Sequence, residues 1–305
     1  MPKPEVSICI PTYEQTPYLT KLLESLLVQN FHDFEIIITD DSRDNRVADL
    51  VKKYQSKFKQ KFTFIQNKPI KGLPENWNFA INKAQGKLIK IMHHDDWFTY
   101  HDSLASFVTS FYHQPNSIYY SASLNYYPKK DSYYVRSTSP EQLHLISSSP
   151  QNLIFHNYIG VPSCTIFQNP KQLRFDPALV WRVDVEFYLQ LLLKNSTISY
   201  NSRPLVTTST SAEHNISNDF VQGNPKEIEE LLHIYAKLQK NIPIKDHSKL
   251  LKFIGYKMIQ YRYSPKQMQV ATDRLQSIKF PHWLFTLTRL NQVSRLAARA
   301  FLKIN

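Results

Sequence analysis

Two adjacent carboxylates, Asp95 and Asp96, stand where the apolar run Ile89–Lys90–Ile91–Met92 gives way to His93–His94. A buried strand that ends in paired acids puts negative charge at the carboxyl edge of a sheet, where open α/β folds bind ligands. Two ionised aspartates side by side repel unless a cation or a hydrogen-bonding ligand holds them, and hard carboxylate oxygens suit Mg2+ or Mn2+. The chemistry this implies is a metal-held phosphate. A plain Asp-containing turn is the competing explanation of the segment by itself, so its surroundings decide.

Those surroundings alternate strand and helix. Val6–Ile10 is apolar and β-prone, and Leu19, Leu22, Leu23, Leu26 and Leu27 then repeat as one face of a helix. Phe34–Thr39 reads as a second buried strand ending at Asp40–Asp41–Ser42, followed by a helical pattern at Val47, Leu50, Val51, Tyr54 and Phe58. Phe62–Ile65 is strand-like, Glu75–Ala84 helical and Leu88–Met92 a strand. The first hundred residues therefore predict a βαβαβαβ run with a parallel sheet. From Ser117 to Ser149 the Tyr- and Ser-rich composition predicts antiparallel strands and loops, with a hairpin turn at Lys129–Lys130–Asp131. A helix over Asp184–Leu193, a strand near Ile198–Thr207 and helices beyond Asn224–Pro225 complete the pattern.

Only five glycines occur, the closest two fourteen residues apart, so neither a Gly-x-Gly-x-x-Gly turn nor a Walker loop exists in the chain. That removes the usual Rossmann and P-loop phosphate sites and leaves the acidic strand ends to bind the ligand. At 305 residues and 42% hydrophobic, the chain has the composition of a globular α/β domain with an appendage. Cys9 and Cys164 fit a reducing compartment better than a disulfide framework. The absence of a leader-like start and of any apolar run of spanning length predicts a cytoplasmic protein.

The net charge of +12 is concentrated at the C-terminus, where residues 241–305 hold twelve Lys/Arg against Asp246 and Asp273. Arg295, Arg299 and Lys303 recur every fourth residue, with Leu296, Phe301 and Ile304 largely on another face. Such a basic amphipathic helix suits an anionic membrane surface, or else packs on the rest of the protein with its basic side in solvent.

Val6–Ser7–Ile8–Cys9–Ile10–Pro11–Thr12–Tyr13, Glu35–Ile36–Ile37–Ile38–Thr39–Asp40–Asp41–Ser42, Gly72 through Gly86, and His93–His94–Asp95–Asp96 resemble, in order and spacing, the nucleotide-binding half of family 2 glycosyltransferases. The resemblance covers roughly residues 5–215 and implies the GT-A fold: α/β, a mostly parallel central sheet flanked by helices, here with a C-terminal helical extension. Residues 1–222 are expected to form the catalytic domain, with 1–116 the nucleotide half and 117–222 the acceptor half, and 223–305 a basic helical region. By the resemblance, Pro11, Thr12 and Tyr13 lie beside the base, and Asp40 or Asp41 bonds the base or ribose. The family's Asp-x-Asp signature falls on His93–His94–Asp95, with His93 in place of the first Asp. Asp95 is the first choice of metal ligand and Asp96 the second. His93 and His94 read as turn or pocket-lining residues, His94 on the donor side. Asn78 is carried over as a donor contact, with Trp77, which stands where the family commonly has Arg, read as a core aromatic.

Asp176–Pro177 and Trp181–Arg182–Val183–Asp184 resemble the acceptor segment, in which the Asp acts as base; Val183 replaces the family's Glu, and Asp184 keeps the Asp position. His214 resembles a late loop position that meets metal or diphosphate. The resemblance thus implies an inverting, metal-dependent transfer (Mn2+ or Mg2+) from a nucleotide diphosphate sugar, UDP-sugar favoured, to a saccharide or lipid-linked acceptor. Its setting would be surface-polysaccharide assembly at the inner face of the cell membrane, without nucleic acid as partner. Of the rivals, a nucleotidyltransferase would want a Gly- and basic-rich loop where Pro11–Thr12–Tyr13–Glu14–Gln15 stands. A basic nucleic-acid binder would leave the acids at successive strand ends without a purpose.

Overall fold

The structure is a computed structural model that describes residues 3–114, 117–170, 172–193, 197–210, 223–275 and 280–304. The chain forms two compact units, residues 1–153 with 157–213 and residues 154–156 with 214–305. The boundary expected after residue 222 adjoins residues 211–222, which lie outside the described residues.

In the first unit, β1 (Val6–Thr12) is buried along its whole length between two parallel neighbours, β2 (Phe34–Asp40) and β4 (Leu88–Ile91). Burial on both faces is why these strands read as unbroken apolar runs. β3 (Phe62–Gln66) pairs parallel with β2 at the edge. Helices α1 (Thr16–Leu27), α2 (Arg46–Gln55) and α3 (Leu73–Lys83) supply the crossovers, so the predicted βαβαβαβ order holds. Leu19, Leu22, Leu23 and Leu26 are all buried and join Ile8, Ile10, Ile36 and Ile38 in one apolar core.

Beyond β4 the sheet is mixed. Its order among the described residues is β3-β2-β1-β4-β8-β6-β9-β5, with β5 Asp96–Phe98, β6 Ser117–Tyr127, β8 Thr165–Gln168 and β9 Thr197–Ser209; β7 (Ser132–Arg136) pairs off the path with β6. β8 pairs antiparallel with β4 and with β6, β6 runs parallel to β9, and β5 runs antiparallel to β9. The hairpin turn falls at Pro128–Lys130, with Asp131 left-handed at φ 43°. Helix α4 (Ser103–His113) follows β5, and α6 (Val183–Leu192) precedes β9. Two elements depart from the expected pattern. Residues 96–98 pair with β9 as a strand, and Pro140–Ser148 is a helix, α5, in a segment expected to be strands and loops.

The sheet edge opposite the strand ends is locked by a buried carboxylate. Glu35 accepts from the Ser7 hydroxyl at 2.6 Å and the Gln85 backbone N–H at 2.6 Å, and pairs with Lys61 at 3.2 Å. Gly86 donates its N–H to Ser7 Oγ, and a Cβ there would sit 2.6 Å from the Ser7 nitrogen. This close approach fixes β4 against β1, and with it the register of the acids at the other end of β4.

The second unit is helical among its described residues: α7 (Lys226–Leu238), α8 (Ile244–Gln260), α9 (Pro265–Arg274), α10 (His282–Val293) and α11 (Arg295–Ile304). Ala298 and Leu302 of α11 are buried against Leu287 and Ile259. A Cβ on Gly255 would meet Leu302 Cδ1 at 2.8 Å, so glycine permits the close crossing of α8 and α11. Among the described residues no helix is long and apolar enough to cross a membrane.

Candidate active site

Parallel strands deliver their carboxyl ends to one edge, and there β1, β2 and β4 release Thr12, Asp40 and the His93–Asp96 turn. The turn closes with the Asp96 N–H on the His93 carbonyl at 3.0 Å. One ligand atom each from His93, Asp95 and Asp96 falls within a 4.8 Å cluster. Ser209 of β9 donates its hydroxyl to Asp95 at 3.1 Å and its backbone N–H to Asp96 at 3.3 Å. The other oxygen of Asp96, Oδ2, is buried without a hydrogen-bond partner. Burial first, and the neighbouring Asp95 charge second, push the Asp96 carboxyl well above the usual carboxylate range.

His93, expected as a turn or pocket-lining residue, also falls within this cluster. Its ring lies on Trp77 with centroids 4.6 Å apart, and its Nδ1 is 3.9 Å from Asp96 Oδ2. Burial holds the imidazole down to about 4, so it is neutral at physiological pH with a lone pair to give. Trp77 is buried as expected and also meets Phe175 edge-on at 4.9 Å. His94 sits half-buried in the turn. Behind the acids, Lys90 is fully buried, its ammonium bonded to the Ser163 carbonyl and 4.3 Å from the Phe107 ring. Burial lowers it to about 7 against the opposing pull of Cys164 and Asp96.

Along the edge, Asp40 and Asp41 do different work. Asp40 Oδ1 accepts from Thr12 Oγ1 at 2.9 Å and from the Ser42 hydroxyl at 2.6 Å, while its buried Oδ2 has no hydrogen-bond partner. Asp41 is spent on the loop before α3, accepting from Asn67 at 2.8 Å, the Lys71 N–H at 3.1 Å and the Gly72 N–H at 2.9 Å. Thr12 is buried and orients Asp40, Pro11 is buried within β1, and Tyr13 is 42% exposed at the mouth. Asn78, expected to touch the donor, instead clamps the backbone of Phe175 with both ends of its amide, at 2.8 and 2.9 Å. The chain ninety-seven residues away occupies the groups a ligand would use.

In the segment expected to face the acceptor, Asp184 lies in the first turn of α6, partly buried. Its Oδ2 accepts from Asn157 Nδ2 at 2.8 Å. Asn157 also brackets Gly160, accepting from its N–H at 2.9 Å and donating to its carbonyl at 3.1 Å. Gly160 is left-handed at φ 100°, with Arg136 Nη1 only 2.5 Å from where a Cβ would be. Burial raises Asp184 to about 6, while backbone N–H groups and the Arg182 and Arg136 charges resist the rise. Asn157, Gly160 and Arg136 escaped the sequence reading. His214 lies outside the described residues.

The fold is that of the GT-A class, a mixed sheet with an acidic turn after its fourth strand. Residues 7–170 match the profile of glycosyl transferase family 2, and the chain belongs to that family. An uncharacterized glycosyltransferase of Methanocaldococcus jannaschii is 40% identical over 98 residues, 32% of this chain and 33% of that protein. The poly(ribitol-phosphate) beta-N-acetylglucosaminyltransferase TarS of Staphylococcus aureus is 32% identical over 94 residues, 30% of this chain and 16% of that protein. The chain thus spans a third or less of these relatives. The structure of S. aureus TarS 1–349 with UDP-GlcNAc matches with TM-score 0.66 at 16% identity, covering 98% of this chain and 90% of that one. A mannosyltransferase of Pyrobaculum calidifontis, solved with GDP-Man and Mn2+, matches with TM-score 0.56 at 15% identity over 98% and 87%. At such identities the likeness is one of fold.

Proposed function

We propose that the chain transfers a sugar from a nucleoside diphosphate donor, UDP-sugar favoured, to the hydroxyl of a saccharide or lipid-linked acceptor, with inversion at the anomeric carbon. The observation that carries this is the gathering of His93, Asp95 and Asp96 at the carboxyl edge of the sheet in a family 2 chain. The three fit a divalent cation: two carboxylates, one with a buried oxygen that lacks a partner, beside a neutral imidazole. The imidazole favours Mn2+ over Mg2+, since Mg2+ prefers an all-oxygen shell. A cation held by these residues would supply positive charge against the departing diphosphate.

The chain's own groups do the rest. Asp40 Oδ2 accepts a ring N–H of the base, and the Tyr13 ring walls it. Asp184, aimed by Asn157, takes the acceptor hydroxyl's proton as that oxygen bonds the anomeric carbon. The bond from that carbon to the phosphate oxygen breaks with its electron pair leaving on the diphosphate. A carboxylate near 6 is ionised at neutral pH and still basic enough for the task. The S. aureus neighbour's UDP-GlcNAc favours uridine, and the Pyrobaculum protein's GDP-Man makes guanosine the next nucleotide to test.

The last helix supports work at a membrane face. α11 buries Ala298 and Leu302, while Leu296 and Ile304 are 77% and 84% exposed beside Arg295, Arg299 and Lys303. Cations with isolated apolar side chains between them suit anionic headgroups and would hold a cytoplasmic enzyme where lipid-linked saccharides are assembled. Calorimetric titration with UDP, GDP and other nucleoside diphosphates, with and without Mn2+, tests the donor site. Metal-dependent binding of one nucleotide by the wild type, lost in Asp95→Ala, is expected. A folded protein that binds none of them would end the transferase reading.

A further inference from the structure

A cluster of aromatic rings borders the acidic turn and takes no part in the chemistry above. Trp97 directly follows Asp96, and its indole meets Tyr126 of β6 edge-on at 6.0 Å. Tyr126 lies over Tyr133, its register partner in β7, at 4.9 Å. Tyr133 is 55% exposed on an edge strand that is open on its outer side among the described residues. From α1, Lys21 sets its ammonium 4.9 Å from the Trp97 ring, 5.0 Å from Tyr126 and 5.8 Å from Tyr18. Among the described residues no carboxylate pairs with Lys21, and Asp131, at the hairpin turn, is engaged by the Tyr126 hydroxyl at 3.1 Å.

The cluster shares its inner wall with the proposed metal corner. Tyr126 is the register partner of Ser209, whose hydroxyl bonds Asp95. Ring faces of Trp and Tyr bind the C–H faces of sugars, and the exposed Lys21 ammonium, held over these rings, stays open to an anion arriving from solvent. A purely neutral ligand would use the rings and leave the cation without a counter-charge.

We propose that Trp97, Tyr126, Tyr133 and Lys21 form an acceptor subsite for an anionic saccharide, its phosphate or carboxylate on Lys21 and the adjoining unit stacked on the rings. This rests on the transferase reading of the same edge. It adds the charge class of the acceptor, which that reading leaves open.

The test uses the full chain, as wild type, Lys21→Met and Tyr133→Ala, with three probes: a glycerol-phosphate oligomer, an oligogalacturonide and a neutral cello-oligosaccharide of similar length. Lys21→Met keeps the stem over the rings and removes only the charge, and melting curves check both variants. One anionic probe should bind the wild type at least about tenfold more tightly than the neutral probe, and Lys21→Met should lose about that factor together with the salt dependence. Tyr133→Ala should weaken charged and neutral probes alike. Preference for the phosphodiester assigns phosphate, and preference for the uronide assigns carboxylate. Equal binding of charged and neutral probes, wild-type affinity in Lys21→Met, or no binding of any probe overturns the proposal. UDP titration of the same wild-type sample separates the two readings, since normal UDP binding with failed probes sinks the subsite alone.

Discussion

Removing the Asn157 amide should shift the pH dependence of transfer as well as its rate. Asn157 Nδ2 gives Asp184 a hydrogen bond of 2.8 Å, and the carboxyl stands at about 6 because burial outweighs the groups that favour its charge. A hydrogen bond to a charged group contributes about 1.5–3 kcal/mol. Asp184 is only partly buried, so water would replace some of this, and about 1.4 kcal/mol, or one pKa unit, is a reasonable net loss in Asn157→Ala. The sign follows from which form works. The base acts when ionised, activity falls as pH drops through its pKa, and destabilising the anion moves that fall upward, from about 6 to about 7. At pH 6.5 the ionised share would drop from about three-quarters to about one-quarter, while at pH 8.5 both enzymes would be almost fully ionised. A loss of about tenfold from a loosened base would add at every pH. The assay is kcat/KM for release of the nucleoside diphosphate from pH 5 to 9, with Asp184→Asn as the variant in which the acidic limb should vanish. An acidic limb that stays near 6 in Asn157→Ala, with only a uniform loss, would show that Asn157 shapes the loop and does not tune the base.

Four further variants separate the roles assigned above. Asp40→Asn should weaken nucleoside diphosphate binding by about tenfold or more in calorimetry with little change in melting temperature, because the altered oxygen is the buried one without a partner. Asp41→Ala should mainly lower the melting temperature, since it removes the acceptor of two backbone N–H groups and one of the two hydrogen bonds donated by the Asn67 amide; the reverse pattern would exchange their roles. Gly86→Ala forces a Cβ to within 2.6 Å of the Ser7 nitrogen, so overpacking of about 1–3 kcal/mol should lower the midpoint by about 3–10 °C, and an unchanged calorimetric midpoint would refute the clamp. Replacing Arg295, Arg299 and Lys303 together by Glu should abolish co-sedimentation with phosphatidylglycerol vesicles and leave UDP affinity unchanged. Equal sedimentation of variant and wild type would remove the membrane role from this helix.

The alternation of strand and helix was legible because buried parallel strands must be apolar throughout, as Ile8, Ile36 and Ile89 are. β5 was not, because three residues give no period and Asp96 looks like the turn before it. α5 did carry a signal: Ser139 and Gln142 form a reciprocal cap with Pro140 at the first turn, masked by the Ser-rich run around it. Among the site residues, local sequence identified the acids at strand ends but could not apportion them. Asp40 and Asp41 look alike until Asn67, Lys71 and Gly72 are seen to engage only the second. Asn78 shows the same limit, for nothing near it in the chain announces its bonds to Phe175. His93 was within reach, since an imidazole at the first position of an Asp-x-Asp pattern is itself a ligand type.

What sequence could not suggest is that one short segment serves both halves of the site. Residues 157–164 have neither strand nor helix periodicity, yet Asn157 at one end orients Asp184 and Ser163 at the other accepts the His93 N–H at 2.9 Å. The Ser163 carbonyl also receives the buried Lys90 ammonium behind the acids. Gly160, left-handed against the Arg136 guanidinium, lets the segment turn between these two duties, and the Tyr188 hydroxyl pins its carbonyl at 3.0 Å. Any side chain at 160 would displace Arg136 and pull on both ends at once. Gly160→Ala should therefore reduce kcat and metal affinity together, whereas Asn157→Ala should spare the metal. Mn2+ titration of the two variants by electron paramagnetic resonance distinguishes them, and wild-type metal affinity in Gly160→Ala would mean that the two ends of the segment act independently.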